Sequence, residues 1–445
     1  MTVAPPSANS HVTAERERGR AARAAVCRAD HADWSPQAMR NPLAELADSD
    51  AGRLPELVPL RHERMATSPF AFLRGLPALM TADLAATAST GLLTLLCGDA
   101  HLANFGFYAS PDRDLVFDLN DFDEAAAGPF EWDVKRLAVS AVVAGRAAGL
   151  DRAANRAAAL AAVAAYRRSM TDWARLGSLD VWYSQVKAGT VVREVDKATR
   201  PLVAASVKRA MASDSRAAFR KLTEVVDGQR RLRGDPPTLV PLPHDDAVGE
   251  CLHELVVDYS ASLEPSRRHL LKRFRFVAGG RMVVGVGSVG TRCYVMLLED
   301  EAGGQPLFLQ AKQAGPAAIE RHLGASPFDH HGQRVVASQH LLQAVSDVFL
   351  GWGTDTQLGG HFTVRQLRDR KGAIDFQRLG ARAFADYCAL CGRVLARAHA
   401  RAGSASAIAG YLGRSARFDE SIATFSETYA DQVEADYRVF CATRT

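Results

Sequence analysis

The sequence predicts an α+β fold in which a helical lobe comes first along the chain and an antiparallel β lobe second. Two observations support this prediction. The first half of the chain is rich in alanine, with apolar residues at helical spacing. Later in the chain, the segment from Arg281 to Leu298 is β-branched and interrupted by glycine, and 307–312 resumes an extended pattern, as is typical of antiparallel strands. Between the two halves, the stretch from Gly228 to Asp246 contains four prolines and is predicted to be a linker.

The composition indicates an ordinary soluble, globular chain and excludes several functional classes. Hydrophobic residues make up 47% of the 445 residues and charged residues 23%, which excludes disorder over most of the chain. The formal net charge is only +4 and no run of five like charges occurs, so no nucleic-acid partner is predicted. Apolar runs fall short of the roughly 20 residues that span a bilayer, so no membrane partner is predicted either. The seven scattered cysteines favour a reducing cytoplasm.

Within the helical half of the chain, a short apolar run predicts a strand that leads into a loop. This run covers 91–97, and a second short strand is predicted at 115–118. Helices are predicted from Asp133 onwards, over 151–173, and from Pro201 to about Val226, because apolar residues recur there at helical spacing.

The second half of the chain has the pattern of strands followed by helices. Strands are predicted within 281–298 and 307–312, then a helix at 333–343, an extended segment at 361–367 and a helix at 384–398. No βαβ unit appears, so the sheet is predicted to be antiparallel. The predicted parts are an N-terminal arm, partly disordered (1–50), a helical lobe (51–228), a linker (229–248), a β-rich lobe (249–375) and C-terminal helices that return to the helical lobe (376–445).

The loop after the first strand brings a carboxylate, an imidazole and an amide together within seven residues, 98–104. Asp99 could orient or deprotonate an attacking hydroxyl. Asn104 could offer its carbonyl oxygen to a hard cation. His101 lies between them. A solvated turn needs none of these groups together, so the loop is a candidate active site.

Four acidic residues follow within seven positions, at Asp118, Asp121, Asp123 and Glu124. Their mutual repulsion is costly unless a cation neutralises it. Taken alone, either segment is more simply explained as Asp and Asn turns that cap helices, and Asp133 has an equally simple explanation as an N-cap. Taken together, the two segments predict a Mg²⁺ site.

A glycine-rich segment, Gly285-Val-Gly287-Ser288-Val-Gly290, lies between predicted strands, and Lys312 ends a later strand. A lone GxGxxG is weak evidence and is often only a bend or bulge. A dinucleotide fingerprint should open a helix, whereas a strand pattern follows these glycines and the Gly-Lys-Ser/Thr of a P-loop is absent. The remaining phosphate-binding arrangement is a glycine flap over nucleotide phosphates, with a strand lysine to meet their charge.

These motifs resemble those of aminoglycoside-phosphotransferase-like kinases. The loop from Asp99 to Asn104 is similar to the catalytic loop of these enzymes, and 121–133 is similar to their metal-binding segment and the helix that follows it. The resemblance implies a catalytic base at Asp99, magnesium ligands at Asn104 and Asp121, and a phosphate-pairing Lys312. The candidate residues are therefore Asp99 and His101 for catalysis, Asn104, Asp121 and Asp123 for the metal, and Lys312, Gly285, Gly287, Ser288 and Gly290 for the nucleotide.

The order of these motifs differs from that of a kinase, in which the glycine loop and the lysine precede the catalytic loop. In this chain they follow it by about 190 residues, so the resemblance implies a circularly permuted, two-lobed kinase-like fold. About 20 linker residues at up to about 3.3 Å each can cross a domain, and permutation is tolerated where the termini are exposed. A helix at 384–399 is expected to return and pack under the catalytic loop.

Over nearly its whole length the chain also resembles a bacterial family known only as domain of unknown function 2252. The matching stretches are 64–72, 97–106, 120–137, 283–291, 365–369 and 395–401. The family name supplies no activity, so the functional prediction depends on the kinase-like motifs.

The predicted function is that of an ATP- and Mg²⁺-dependent phosphotransferase acting on an unidentified hydroxyl of a small molecule or a protein. Three alternatives stay open: a pseudokinase that binds nucleotide without turnover, a nucleotidyl transferase that moves AMP, and a metal-dependent phosphoesterase. The first is favoured by the surroundings of Lys312. A kinase lysine is normally held by a helix glutamate, whereas Gln333 and Gln339 occupy the more plausible helix and Glu320 is close in sequence.

Three arginines near the Ser-Pro-Phe segment at 68–70 also have two interpretations. Arg61, Arg64 and Arg74 could bind an acidic substrate. The simpler alternative is that they hydrogen-bond backbone carbonyls.

Overall fold

The structure, a computed structural model, describes residues 8–243, 247–355, 357, 360–367 and 369–444. It confirms the predicted α+β class, since a large helical part is joined to an antiparallel sheet. Its helices are α1 (Ala8–Ala25), α2 (Pro42–Ala51), α3 (Val58–Met65), α4 (Pro69–Gly75), α5 (Pro77–Ala85), α6 (Phe130–Ala147), α7 (Arg152–Trp173), α8 (Ser178–Tyr183), α9 (Ala188–Glu194), α10 (Arg200–Ala212), α11 (Ser215–Leu222), α12 (Ala247–Ser262), α13 (Pro265–Leu271), α14 (Glu320–Leu323), α15 (His331–Leu342), α16 (Ala381–Ala402), α17 (Ala405–Leu412) and α18 (Arg417–Ala442). Its strands are β1 (Leu93–Leu96), β2 (Phe105–Ala109), β3 (Leu115–Leu119), β4 (Ala126–Pro129), β5 (Thr223–Val226), β6 (Gln229–Leu232), β7 (Leu239–Pro241), β8 (Phe274–Met282), β9 (Cys293–Asp300), β10 (Pro306–Gln313), β11 (Gly351–Asp355) and β12 (Gly360–Gln366).

The main sheet is antiparallel, with the strand order β11–β12–β10–β9–β8–β7. Lys312 lies on the inner strand β10, in register with Cys293 on β9 and Thr363 on β12. Helix α12 covers one face of this sheet, where Leu255 shares an apolar core with Phe362. Lys312 is therefore presented by a strand that is hydrogen-bonded on both sides, which limits its backbone motion.

Helices α7 and α16 pack closely in the helical core, which explains the alanine-rich segment of the sequence. Ala158, Ala159 and Ala162 of α7 are fully buried. A Cβ at Gly392 of α16 would overlap the carbonyl of Ala162, so the two backbones nearly touch. The Asp151 side chain caps α7 by accepting a hydrogen bond from the Ala154 amide at 2.8 Å. Among the described residues, no helix has the length and apolar character needed to cross a bilayer.

Two small ladders place the candidate loops side by side. Strand β1 pairs with β4, with Leu96 opposite Ala126, and strand β2 pairs with β3, with Phe105 opposite Leu119. The chain leaves β1 into the loop 97–104 and enters β2, and it leaves β3 into the loop 120–125 and enters β4. Because both loops start and end at paired residues, the acidic segment lies against the segment that contains Asp99.

The segment predicted to be a linker contributes to ordered structure. The helix predicted from Pro201 to about Val226 is instead two helices, α10 and α11, and the second ends at Leu222 because strands β5 and β6 form a hairpin. Strand β7 pairs with β8 and forms one edge of the sheet. Its last residue is Pro241, which lacks an N–H and is tolerated at a sheet edge. Residues 244–246 of the predicted linker lie outside the described residues.

The N-terminal arm is more ordered than the sequence predicts. Helix α1 packs on α17 so closely that a Cβ at Gly410 would meet the carbonyl oxygen of Arg16 at 2.5 Å. Arg40 forms ion pairs with Asp83 at 2.8 Å and with Asp436 at 2.6 Å. The arm is therefore anchored to both ends of the helical part. Predicted disorder at residues 1–7 falls outside the described residues.

Candidate functional site

Helix α6 fixes the candidate catalytic loop through a single carboxylate. Asp133 accepts hydrogen bonds from the amides of Cys97 at 2.8 Å and Gly98 at 3.1 Å, immediately before Asp99. Its Oδ2 also lies 3.1 Å from His399 Nε2 on α16. The N-cap explanation for Asp133 is wrong, because the residue lies in the first turn of α6 and the cap position is held by Pro129.

Gly98 is required by the geometry of this loop. Its φ of +80° lies in the left-handed region, and a Cβ there would overlap the carbonyl of Glu124. The catalytic loop and the acidic segment are therefore in backbone contact.

Asp99 is held by an arginine that the sequence analysis did not single out. Arg136 donates to Asp99 Oδ1 from Nε at 2.9 Å and from Nη2 at 2.7 Å, and Nη2 also donates to the Leu73 carbonyl at 2.7 Å. The other oxygen, Oδ2, lies 3.4 Å from His101 Nε2. Arg136 follows Asp133 by one helical turn, but an arginine at this spacing occurs on many helices, so the sequence carried no specific signal for it. Arg136 thus fixes one carboxylate oxygen of Asp99, and the other lies beside His101.

His101 is buried and electrically neutral at ordinary pH. Its side chain is 9% exposed, and burial lowers its pKa to about 4 although the charge of Asp99 opposes this shift. Its ring packs edge-on to Phe70, with the centroids 6.2 Å apart. Nδ1 has no hydrogen-bond partner among the described residues. The imidazole therefore lies against Asp99 as a neutral group.

Asn104 lies between the two loops with one oxygen left over. Its Nδ2 donates to the carbonyls of Asp99 and Asp121, both at 3.1 Å. These two bonds fix the orientation of the amide, because only nitrogen can donate. The residue is 3% exposed, and Oδ1 has no hydrogen-bond partner within the described residues. A buried acceptor without a partner costs free energy, and a cation would satisfy it.

Lys312 meets the acidic segment directly, although nearly 190 residues separate them. Its Nζ lies 3.5 Å from Asp121 Oδ2 and in direct contact with Asp123 Oδ2. The lysine side chain is 6% exposed, whereas Asp121 is 48% exposed. Burial alone would raise the pKa of Asp121, but Lys312 and Arg365 outweigh it and lower the pKa to about 2. The Asp121 carboxylate is therefore charged, fixed at one end and open to solvent.

The other two carboxylates of the acidic cluster are bound by protein groups. Asp118 forms an ion pair with Arg397 of α16 at 2.6 Å, and both side chains are 2% exposed. Glu124 accepts a hydrogen bond from the Ala318 amide at 2.7 Å. The prediction that a bound cation is needed to offset the acidic cluster is therefore wrong for Asp118 and Glu124, which are bound by groups of the protein. The other two members, Asp121 and Asp123, contact Lys312 instead.

The glycine-rich segment is a turn between β8 and β9, and arginines of the helical part hold its carbonyls. Arg53 donates to the carbonyls of Gly287 at 2.7 Å and Val289 at 2.6 Å, and Arg64 donates to that of Gly285 at 2.7 Å. Gly285 and Gly290 have φ values of +63° and +90°, where glycine is strongly favoured. For Arg64, the simpler of the two predictions, that it hydrogen-bonds a backbone carbonyl, is therefore confirmed.

Arg61 likewise binds a carbonyl, that of Gly75 at 2.6 Å, and pairs with Asp50. Arg74 differs, since its buried Nε has no hydrogen-bond partner within the described chain. Its guanidinium lies over the Phe70 ring, 5.7 Å from the centroid.

The helix partner expected for Lys312 is not a glutamate. Glu320 pairs with Arg334 of α15 at 3.3 Å, and Gln339 donates to Gln343 at 2.9 Å. Arg334 also donates to the Asp123 carbonyl at 2.8 Å. Helix α15 therefore acts on the acidic segment through an arginine, and Lys312 is balanced by that segment itself.

Two further basic residues complete the cleft and were missed in the sequence. Arg365 on β12 donates to the Asn120 carbonyl at 3.1 Å and to Gln310 at 3.3 Å. Lys371 is partly buried, and burial together with the charge of Arg365 lowers its pKa to about 7. Their signal was weak because a basic residue in or just after a strand is common on any surface.

The chain was compared with known families and proteins. A family model described as "Uncharacterized protein conserved in bacteria (DUF2252)" matches residues 53–443. The chain belongs to this family. The DUF2252 match begins at Arg53, which binds the glycine turn, and it contains every candidate residue named above. No curated protein and no solved structure matches the chain.

Proposed function

We propose that this DUF2252 protein is an ATP- and Mg²⁺-dependent phosphotransferase with a circularly permuted kinase-like arrangement. The observation that carries the proposal is the contact of Lys312 with Asp121 and Asp123, beside an Asn104 oxygen that has no partner. A strand lysine, a metal-binding aspartate and a loop asparagine are the parts that kinases use to hold a nucleotide and its metal.

The arrangement supports a kinase-like cleft despite the reversed chain order. The sheet supplies the lysine and the glycine turn, and the helical part supplies the two loops. Helix α16 packs under the catalytic loop, where the Tyr387 hydroxyl donates to the Leu102 carbonyl at 2.8 Å. The contacts that matter in such a cleft are thus made by segments distant in sequence.

The nucleotide phosphates would be balanced by Lys312 and by amides of the glycine turn. A trans peptide directs its N–H opposite to its C=O. Since Arg53 and Arg64 bind the carbonyls of Gly287 and Gly285, the amides of Ser288 and Val286 face away from these arginines. Such unengaged backbone donors suit phosphate oxygens.

The residues present fit a magnesium ion held jointly with phosphates. Asn104 Oδ1 and the exposed carboxylate of Asp121 are the hard oxygen ligands that Mg²⁺ prefers. Within the described residues, no group of three or more His, Cys, Asp or Glu side chains could hold a metal alone. This agrees with the usual Mg²⁺ site in such enzymes, where one or two protein ligands are joined by substrate phosphates. The ion would supply neutralisation of the phosphate charge.

Asp99 would orient the acceptor. Its Oδ2 would accept a hydrogen bond from the acceptor hydroxyl, whose oxygen attacks the γ-phosphorus. The bond from phosphorus to the β–γ bridging oxygen breaks, ADP leaves, and the hydroxyl proton passes to Asp99. The Arg136 ion pair holds this carboxylate in place, which suits a reaction dominated by positioning and electrostatics.

The proposal is tested with Asp121→Asn, which keeps the shape of the side chain and removes its charge. We expect Mg²⁺-dependent ADP formation to fall by about a hundredfold or more, because the metal loses its charged ligand. Asp112→Asn, at an exposed carboxylate outside the site, is the matched control and should keep full turnover. Turnover that survives Asp121→Asn in a folded protein contradicts the assignment.

A pseudokinase is the second candidate, and two contacts favour it. The Lys312 ammonium already contacts Asp121 and Asp123, and Arg136 binds one carboxylate oxygen of Asp99. Groups that are paired within the protein are less available for phosphate and acceptor. Such a protein would show a thermal shift with Mg²⁺ and ATP but would form no product. Measurement of ATP binding and of ADP release on the same preparation separates the two functions.

A further inference from the structure

Arg74 lies where the catalytic loop and the glycine turn meet. On one side, helix α4 is fixed to the catalytic loop: the Leu73 carbonyl accepts a hydrogen bond from the same Arg136 that binds Asp99. Phe70, one turn before Arg74, contacts the His101 ring edge-on. The Arg74 guanidinium rests on the Phe70 ring at 5.7 Å, and it is close enough to the catalytic loop for its charge to interact with Asp99 and His101.

On the other side, the glycine turn lies directly on the Arg74 backbone. A Cβ at Gly287 would be 3.1 Å from the Arg74 carbonyl oxygen, so a larger residue is poorly accommodated there. The turn is held in this position by Arg53 and Arg64 through its carbonyls. Arg74 thus contacts the turn that would cover phosphates through its backbone carbonyl, while its side chain lies over Phe70, which packs on the loop that would bind the acceptor.

Arg74 lacks the protein partners that its neighbouring arginines have. Arg53, Arg61 and Arg64 each donate to a carbonyl oxygen at 2.6–2.7 Å. Arg74 Nε is buried without a hydrogen-bond partner, and no carboxylate among the described residues lies within ion-pair distance of the guanidinium. A partly buried cation without a partner is costly. An anion from outside the chain would offset that cost.

We propose that Arg74 binds the terminal phosphate of the nucleotide, so that the site distinguishes a nucleoside triphosphate from a diphosphate. This inference rests on the proposed function and adds to it a specific contact to the group that is transferred. A planar guanidinium can donate two parallel hydrogen bonds to a phosphate dianion. The position between Asp99 and the glycine turn is where the transferred group must pass from nucleotide to acceptor.

The test compares two ligands on matched variants. Binding of a non-hydrolysable ATP analogue and of ADP, each with Mg²⁺, is measured by calorimetry for the wild type, Arg74→Gln and Arg74→Lys. We expect Arg74→Gln to weaken binding of the triphosphate by about tenfold or more while binding of ADP stays within about twofold. Arg74→Lys should retain part of the preference for triphosphate over diphosphate, because lysine keeps the positive charge but lacks the two parallel donors of the guanidinium. The exposed Arg175→Gln should leave both affinities unchanged.

A structural role for Arg74 predicts a different result. If Arg74 only supports the fold, Arg74→Gln lowers the melting temperature of the ligand-free protein and weakens the binding of triphosphate and diphosphate equally. This result overturns the inference. If Arg74 binds the phosphate, the ligand-free variant melts no lower than the wild type. Equal affinities of the wild type for triphosphate and diphosphate also overturn it. Failure of the wild type to bind either nucleotide refutes the proposed function itself and is recognisable as such.

Discussion

At the scale of single residues, the site is defined by polar atoms with and without partners. Asp118 and Glu124 resemble Asp121 and Asp123 in the sequence, but Asp118 is paired with Arg397 and Glu124 accepts a hydrogen bond from a backbone amide. Such pairings depend on residues hundreds of positions away. The sequence could therefore predict an acidic cluster but not which of its members contact Lys312.

Arg136 shows the same limit. It holds Asp99, but nothing in its local pattern distinguishes it from an ordinary helix arginine. By contrast, Asn104 and Lys312 could be predicted, because an amide near an aspartate and a lysine ending a buried strand are unusual enough to suggest chemistry by themselves.

The buried imidazole of His101 predicts a pH dependence of stability. Its folded pKa of about 4 is below its ordinary value of 6.5. Between these values the unfolded chain binds a proton that the folded chain does not, so stability falls as the pH is lowered through this window. We expect the unfolding free energy of His101→Gln to depend less steeply on pH, by about 1.4 kcal/mol per pH unit.

The measurement is urea unfolding of both proteins at several values between pH 4.5 and 6. His11→Gln, at an exposed position on α1, serves as the control and should keep the slope of the wild type. Parallel pH profiles for wild type and His101→Gln would show that the imidazole does not titrate as described.

At the scale of elements, helix α6 organises the site. Its first two turns are buried, and they carry Asp133, which binds the loop amides, and Arg136, which binds Asp99. Helical spacing in the sequence predicted this helix, because its apolar residues recur regularly. The sequence offered carbonyl binding as the simpler interpretation of Arg64, but it could not predict that the carbonyls bound by Arg53 and Arg64 belong to the glycine turn, since these residues are more than 200 positions apart.

Asp133→Asn tests this organising role. The amide cannot accept two loop N–H bonds and the contact with His399 as a carboxylate does. We expect a loss of about 2–4 kcal/mol of stability, as is typical when a buried polar network is broken, together with weaker nucleotide binding. Asp151→Asn is the matched control, because asparagine caps a helix as well as aspartate. Equal stability of Asp133→Asn and the control, by urea unfolding, would argue against the role.

At the scale of the whole molecule, the chain order is the main feature. The helical part comes first, the sheet second, and α16 returns to pack on α7 beneath the loops. The division into helix-rich and strand-rich halves could be predicted because the apolar period changes between them. Strands β6 and β7 could not, because short strands with proline and charge resemble a linker, and β5 lies in a segment whose pattern predicted a helix.

The central claim is that two segments nearly 190 residues apart bind one metal–triphosphate group. A crystal structure of the protein with a non-hydrolysable ATP analogue and Mg²⁺ tests this claim most directly. The account predicts one metal ion bound by Asp121 and Asn104, with Lys312 in contact with the phosphates and the glycine turn over them. A nucleotide bound away from the Lys312–Asp121 pair, or a metal ion that contacts neither Asp121 nor Asn104, would contradict it.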